Sequence, residues 1–372
     1  MNIKSLLLGS AAAFVAVSGA RAADAVVIAE PEPMEYVRIC DTYGAGFYYI
    51  PGTETCLKVS GYMRYEIGVG EWGHQDVIDK EDYLDEVYDT NDTYSKNARF
   101  QLRVDARNET ELGTLRAYAA INFNYTTSDS YFDFDDGYYP GITTTGDSVG
   151  IDHAYIELGG FRIGKTDSLF ETFTGSAGNV IQDSIVGYTP GKTHQIAYTF
   201  TGGNGFVAAV ALEEGSGPVY TLDSYAPHVV GGLGYVGAWG GVTGVVGYDA
   251  VYGEWAAKAR VDFNVNDAFS VFVMGGISDT DEIAPGIDGL NYYSPWGGDW
   301  AVWGGASFAF NEKATFNFQA SVDDSETWGI VANVDYTLVD NFVITPEVTY
   351  HDNDADLEEW GGFLRLQYNW GS

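Results

Sequence analysis

The chain has 372 residues and a formal charge of −35, with 53 acidic against 18 basic side chains. That balance excludes a nucleic-acid binder, which needs Lys and Arg against phosphates. With 15 % aromatic residues, 47 glycines and 27 tyrosines, it also excludes the acidic disordered class, which is poor in aromatics.

At the start of the chain, Lys4 gives a positive region, Leu6 to Val17 an uncharged apolar run, and Ala20-Arg21-Ala22 a small-residue cleavage site. These features in this order predict a signal peptide over residues 1–22. An uncleaved anchor is the alternative, but the run is shorter than the ~20 residues a bilayer-spanning helix needs. Gly, Asp, Asn or Tyr interrupts every later apolar run. The exported chain is therefore either soluble or a closed barrel, since lipid tolerates no unpaired backbone.

Residues 23–56 precede the patterned region. Glu30-Pro31-Glu32-Pro33 reads as an extended lead-in, and Val37 to Cys56 as a small hairpin. Cys40 and Cys56 are the two cysteines. In an oxidising compartment such a pair reads as a disulfide, with two free thiols as the alternative.

From Leu57 to the end of the chain, residues 57–372, apolar and polar side chains alternate with period two. Leu57, Val59, Met63, Tyr65, Ile67 and Val69 oppose Lys58, Ser60, Tyr62, Arg64 and Glu66. Ala98, Phe100, Leu102, Val104 and Ala106 oppose Arg99, Gln101, Arg103, Asp105 and Arg107. Tight turns are expected at Asn108 to Gly113, Gly159-Gly160, Gly202 to Gly205, Gly240-Gly241, Asn266-Asp267, Asn311 to Lys313 and Leu338 to Asn341. Longer segments separate them, including Gly70 to Asn97, Thr126 to Gly150, Thr166 to Lys192 and Asp279 to Asp299. Seven tight turns and eight loops join sixteen strands. Short turns on one side, long loops on the other and an even strand count are the pattern of a transmembrane antiparallel β-barrel. Aromatics beside the turns, such as Phe161, Phe200, Phe206, Phe263 and Phe310, read as an interfacial girdle. Pro346 falls inside an expected strand, where it lacks a ladder donor and predicts an irregularity.

A charge facing lipid at mid-depth costs about 2–4 kcal/mol, so in-strand charges belong on the lumen side. Alternation places Lys58, Arg64, Arg99, Arg103, Arg107, Arg116, Arg162, Lys258, Arg260 and Arg365 there as a pore-lining basic ladder. Most come from the first five strands and the last, which are neighbours in a closed barrel. Acids crowd the first loop (Glu71 to Asp92) and the second (Asp129 to Asp136). Carboxylates there suit divalent cations, though no Ca²⁺-loop spacing is present and a solvated loop is the simpler reading. Thr166 to Lys192 carries Asp167, Glu171 and Asp183 among small and apolar residues. It reads equally as a surface loop or as one folded into the lumen.

Tyr36-Val37-Arg38-Ile39-Cys40-Asp41-Thr42-Tyr43-Gly44-Ala45-Gly46-Phe47 and Tyr49-Ile50-Pro51-Gly52-Thr53-Glu54-Thr55-Cys56-Leu57 resemble the start of mature alphaproteobacterial (rhizobial-type) outer-membrane porins. So do Glu109 to Leu115, Gly159 to Gly164 and Trp360 to Arg365. The resemblance implies a sixteen-stranded barrel, a homotrimer and passive diffusion of small hydrophilic solutes and ions. It implies that Thr166 to Lys192 folds inward as a constriction, with Asp167, Glu171 and Asp183 facing Arg64, Arg99, Arg103 and Arg116. Such porins usually end on an aromatic residue read by the barrel-assembly machinery. Tyr368 and Trp370 stand in that role here, followed by Gly371-Ser372.

The scattered histidines, His74, His153, His194, His228 and His351, have no nucleophile motif or metal spacing beside them, so no enzyme is expected. A substrate-selective channel, a surface-binding barrel and a soluble sandwich are the rival readings. Lumenal arginines favour anions and an acidic mouth favours cations; focusing by the mouth predicts weak cation selectivity.

Overall fold

In the computed structural model, residues 38–70, 74–79, 90–128, 132–134, 137–139, 143–280, 289–352 and 359–371 are described. The expected signal peptide and the extended lead-in lie outside them. Among the described residues, period-two alternation becomes sixteen antiparallel strands closed into a barrel. They are β1 (Cys56–Gly70), β2 (Thr90–Thr110), β3 (Gly113–Ser128), β4 (Thr144–Leu158), β5 (Phe161–Asp167), β6 (Lys192–Thr201), β7 (Phe206–Glu213) and β8 (His228–Gly237). They continue as β9 (Gly240–Tyr248), β10 (Trp255–Asn266), β11 (Phe269–Asp279), β12 (Trp300–Asn311), β13 (Ala314–Asp323), β14 (Trp328–Val339), β15 (Phe342–Asp352) and β16 (Glu359–Trp370). Each pairs with its neighbour in sequence, and β1 pairs with β16 from Gly61↔Trp370 to Gly70↔Gly361, closing the ring. Closure leaves no open sheet edge, as a lipid environment demands.

The outward face carries exposed Met63, Tyr65, Phe123, Leu233, Val273 and Leu364. An apolar belt of this extent fits hydrocarbon, not water. Among the described residues, no helix is long and apolar enough to cross a membrane, so crossing falls to the strands.

Five of the tight turns fall where the sequence places them, and the one expected at Asn266-Asp267 lies one residue on, at Asp267-Ala268, because Asn266 pairs with Phe269. The β8–β9 turn is Ala238-Trp239 rather than Gly240-Gly241, because Gly240, at φ +132°, already pairs with Gly237 as the first residue of β9. Pro346 stays in register with Leu364 of β16, but pairing with β14 lapses between Asn333↔Glu347 and Tyr336↔Ile344. The missing N–H accounts for that gap. The loop end is less uniform than expected, since only residues 324–327 join β13 to β14.

Ahead of β1, a 3₁₀ turn at Asp41–Tyr43 and a two-residue strand at Tyr48–Tyr49 form the small hairpin. Tyr48 and Tyr49 pair with Leu57 and Cys56, alongside the part of β1 that β16 does not reach. Cys40 and Cys56 are joined by a disulfide and buried.

Candidate functional site: the lumen constriction

The connection from β5 to β6, residues 168–191, is positioned by its first turn. Ser168 caps the short helix α1 (Leu169–Thr172), its Oγ accepting from Phe170 N at 3.1 Å. Buried Glu213 of β7 accepts from Ser168 Oγ and Leu169 N, both at 2.7 Å, and from Tyr293 OH at 3.1 Å. Leu169 and Phe170 are buried, with the Phe170 ring 5.1 Å from that of Tyr293. The segment then runs along the inside of the wall. Arg260 of β10 donates to Ser176 O. Asn333 of β14 donates to Asn179 O at 3.1 Å, and Gln319 of β13 to Asp183 O at 2.9 Å. Glu347 of β15 accepts from the backbone N–H of Ile181 and, at 2.8 Å, of Gln182. Trp303 Nε1 of β12 donates to Val186 O at 3.0 Å, and Lys258 Nζ of β10 to Tyr188 O at 2.6 Å. A loop bonded to β7, β10, β12, β13, β14 and β15 at once lies within the barrel.

This placement separates two members of the expected basic ladder from the rest. Lys258 is 2 % exposed, with Nζ 4.6 Å from the centre of the Phe170 ring. Arg260 is bonded to both Asp262 and the loop backbone. These two cations hold the loop instead of facing open lumen. Tertiary packing, which alternation cannot register, is the reason.

The others sit on the facing wall of β16, β1, β2, β3 and β5, in two arrangements. Near the turns, carboxylates join three arginines. Asp105 receives Arg107 (2.9 and 2.7 Å) and Arg116 (3.1 and 2.9 Å), and Glu157 receives Arg116 (2.8 Å) and Arg162 (2.8 and 2.7 Å). Lys58 Nζ donates to Ala45 O at 3.2 Å, and the Arg107 guanidinium lies 5.0 Å from the Phe47 ring centre. The hairpin therefore meets the turn end of the ladder.

Deeper in, the partners change. Glu66 and Arg365 are register partners joined at 2.6 Å. In the next row, Gln367, Arg64, Arg99 and Asn124 stand side by side on four adjacent strands. Arg64 Nε donates to Gln367 Oε1 and Arg99 Nε to Asn124 Oδ1, each at 2.7 Å, while Arg103 Nε donates to Gln101 Oε1. Among the described residues, Arg99 and Arg103 meet amide oxygens and no carboxylate within ion-pair distance.

The three expected constriction acids have separate fates. Asp167 pairs with Lys192 at 3.0 Å across the neck of the loop. Glu171 bonds Thr189 Oγ1, and Asp183 accepts from Tyr188 OH at 2.7 Å. Burial pushes both the Glu171 and Asp183 carboxyls above the usual carboxylate range. A bulge at Asp152, where the β3–β4 register shifts, brings another acid to the neck; it bonds Gln101 at 2.9 Å and Lys192 at 3.2 Å. Glu213, Glu347 and Trp303 were not singled out from the sequence. Glu213 and Glu347 are in-strand acids, and an in-strand charge on the lumen side is the signal that could have found them. The acidic stretches proposed for divalent cations fall largely outside the described residues.

The porin subfamily model matches residues 24–367. The chain is 51 % identical over 386 residues to Porin Omp2a of Brucella melitensis, covering 99 % of each chain, and 49 % identical over 384 residues to Porin Omp2b of Brucella neotomae, again covering 99 % of each. In fold it is similar to the outer membrane channel DcaP of Acinetobacter baumannii, with a TM-score of 0.59 and 16 % identity over 87 % of this chain and 99 % of that one. A variant of Rh. blastica porin gives a TM-score of 0.53 and 14 % identity over 84 % of this chain and 100 % of that one. A closed sixteen-stranded wall with an apolar belt, matched over nearly its whole length by the family model and by relatives at half identity, makes this chain an outer-membrane β-barrel of the alphaproteobacterial porin subfamily.

Proposed function

We propose that the barrel is a general diffusion channel, passing small hydrophilic solutes and ions between loop 168–191 and the arginine wall. The inward docking of that loop carries the reading. It narrows the lumen on one side and leaves Arg64, Arg99 and Arg103 on the other. Fixed charge on one side of the passage orients dipolar water and solutes as they cross it. The acids of the first two loops focus cations at the mouth, and the preference that follows is weakly cationic. The same acids offer oxygen ligands to divalent cations beside lipopolysaccharide. Tyr368 and Trp370 present the aromatic end of β16 to the barrel-assembly machinery, and the working form is a homotrimer.

Single-channel recording of purified protein in a planar bilayer under a KCl gradient tests this. Conductance steps that close in thirds and a small cation-favouring reversal potential are expected. Well-inserted protein without conductance would refute the open channel, and an anion-favouring potential would refute the selectivity. A surface-binding role has no specific observation in its favour.

A further inference from the structure

We propose that Arg64, Arg99 and Arg103 form a binding site, on the lumen wall, for oxyanions carrying two or more negative charges, namely phosphates and dicarboxylates. The inference rests on the open-channel reading above.

The first observation is how this wall treats its arginines. Where Arg107, Arg116 and Arg162 serve the turn end, Asp105 and Glu157 neutralise them. Further in, amides replace carboxylates. Gln367, Asn124 and Gln101 each take the Nε–H of one arginine. An amide oxygen fixes the side chain without cancelling its charge, and Nε bonding leaves the terminal amino groups for something else. Glu66 is joined to Arg365 at 2.6 Å and lies 3.9 Å from Arg64 Nη1, and Asp152 is taken by Gln101 at 2.9 Å and Lys192 at 3.2 Å.

The second observation is that the three are gathered. Arg64 and Arg99 are direct register partners on β1 and β2, an arrangement of like charges that disfavours the sheet. Arg103 shares the Arg99 face of β2, two steps of the alternation nearer the turns, with Gln101 between them. The Arg64 and Arg103 guanidiniums lie 4.7 and 5.4 Å from the centre of one ring, that of buried Tyr62. The ring spaces and orients two forks that remain partly exposed to the lumen. Planar guanidinium forks match the paired oxygens of phosphate and carboxylate. A doubly charged oxyanion relieves the repulsion of more than one arginine, which a singly charged one cannot do to the same degree.

The test records single-channel current carried by KCl at constant ionic strength, with inorganic phosphate at pH 8, succinate or acetate added. Phosphate or succinate should reduce or interrupt the current and acetate should not; block by only one of the two dianions supports the site and names its class. In the Arg99→Gln/Arg103→Gln variant the half-blocking concentration should rise by about tenfold or more, the loss of one charge-assisted hydrogen bond. Calorimetric titration of detergent-folded protein with inorganic phosphate reads the site even if the channel does not conduct, and heat-modifiable migration on gels shows that the variant has folded. The proposal is overturned if neither dianion acts more strongly than acetate on conducting wild-type channels, if block is unchanged in the variant, or if calorimetry shows no binding. A silent wild-type channel that still binds phosphate would instead refute the diffusion reading.

Discussion

Replacing Glu347 by Ala tests whether the inner loop is held from the far wall. Glu347 is 7 % exposed and accepts from Ile181 N, Gln182 N and Asn333 Nδ2, so one carboxylate anchors the middle of the loop. Hydrogen bonds to a charged group contribute about 1.5–3 kcal/mol each. The freed N–H groups border an aqueous lumen where water can replace the carboxylate, so the lower end applies. The two backbone bonds then amount to about 3 kcal/mol of docking preference, or about 150-fold in the ratio of docked to displaced loop. The strand ladder around Glu347 is unaffected, because β15 pairs with β16 through its backbone. Single-channel recordings should therefore show a normally inserted channel with noisier, larger conductance, and Glu347→Gln, which keeps one acceptor oxygen, should fall between. A folded Glu347→Ala channel with wild-type conductance and noise would refute the anchoring argument.

Three further outcomes follow from other contacts. At Gly232 on β8, an added Cβ would lie 2.6 Å from the Phe173 ring. Gly232→Ala should cost about 1–3 kcal/mol by overpacking and raise conductance by displacing the loop; unchanged conductance would count against the contact. For Glu171 and Asp183, carboxyls raised by burial bind protons more tightly in the docked loop than when free. Their contribution to docking is thus complete below the ordinary values of 4.5 and 3.8 and is lost as pH rises through the raised ones. As pH falls from neutral, reversal potentials should shift away from cations before surface carboxylates titrate, and a flat profile down to the ordinary range would refute this. In the hairpin, the disulfide spans 16 positions, a closure contributing about 3 kcal/mol in the chain-entropy model. Cys40→Ser/Cys56→Ser should make residues 39–55 more sensitive to protease while the barrel persists, and equal digestion rates would refute it.

What the sequence disclosed and what it concealed divide along a physical line. Period-two alternation is set by the pleat, so strands, turns and wall faces were legible. The Gly240-Gly241 displacement arose because a glycine that begins a strand looks like one that makes a turn. The direction of loop 168–191 was open on composition, and only the family resemblance inclined it inward. The loop meets the wall largely through its own backbone carbonyls, those of Asn179, Asp183, Val186 and Tyr188, which leave no trace in residue identity. For the same reason Lys258 and Lys58 look alike in sequence, although one is covered by the loop and the other meets the hairpin.

One compositional feature gains its meaning only from the fold. The inward faces of β8, β9, β11 and β14 carry glycines where an added Cβ would strike a loop side chain. Gly232 faces Phe173, Gly247 faces Tyr293, Gly276 faces Trp296 and Gly329 faces Ile185. Each removes a side chain from the wall where a ring or branched chain from within the lumen takes its place, a close approach that other residues do not permit. On the facing wall, the inward positions of β1, β2 and β3 hold Arg, Tyr, Gln and Asn, which project into the lumen and bond one another. The two halves of the barrel thus differ in which side supplies the atoms. In one half the loops fill space that the wall leaves, and in the other the wall itself does so with charge. The constriction lies where these halves meet, and its charge asymmetry follows from the same division that seats the loop.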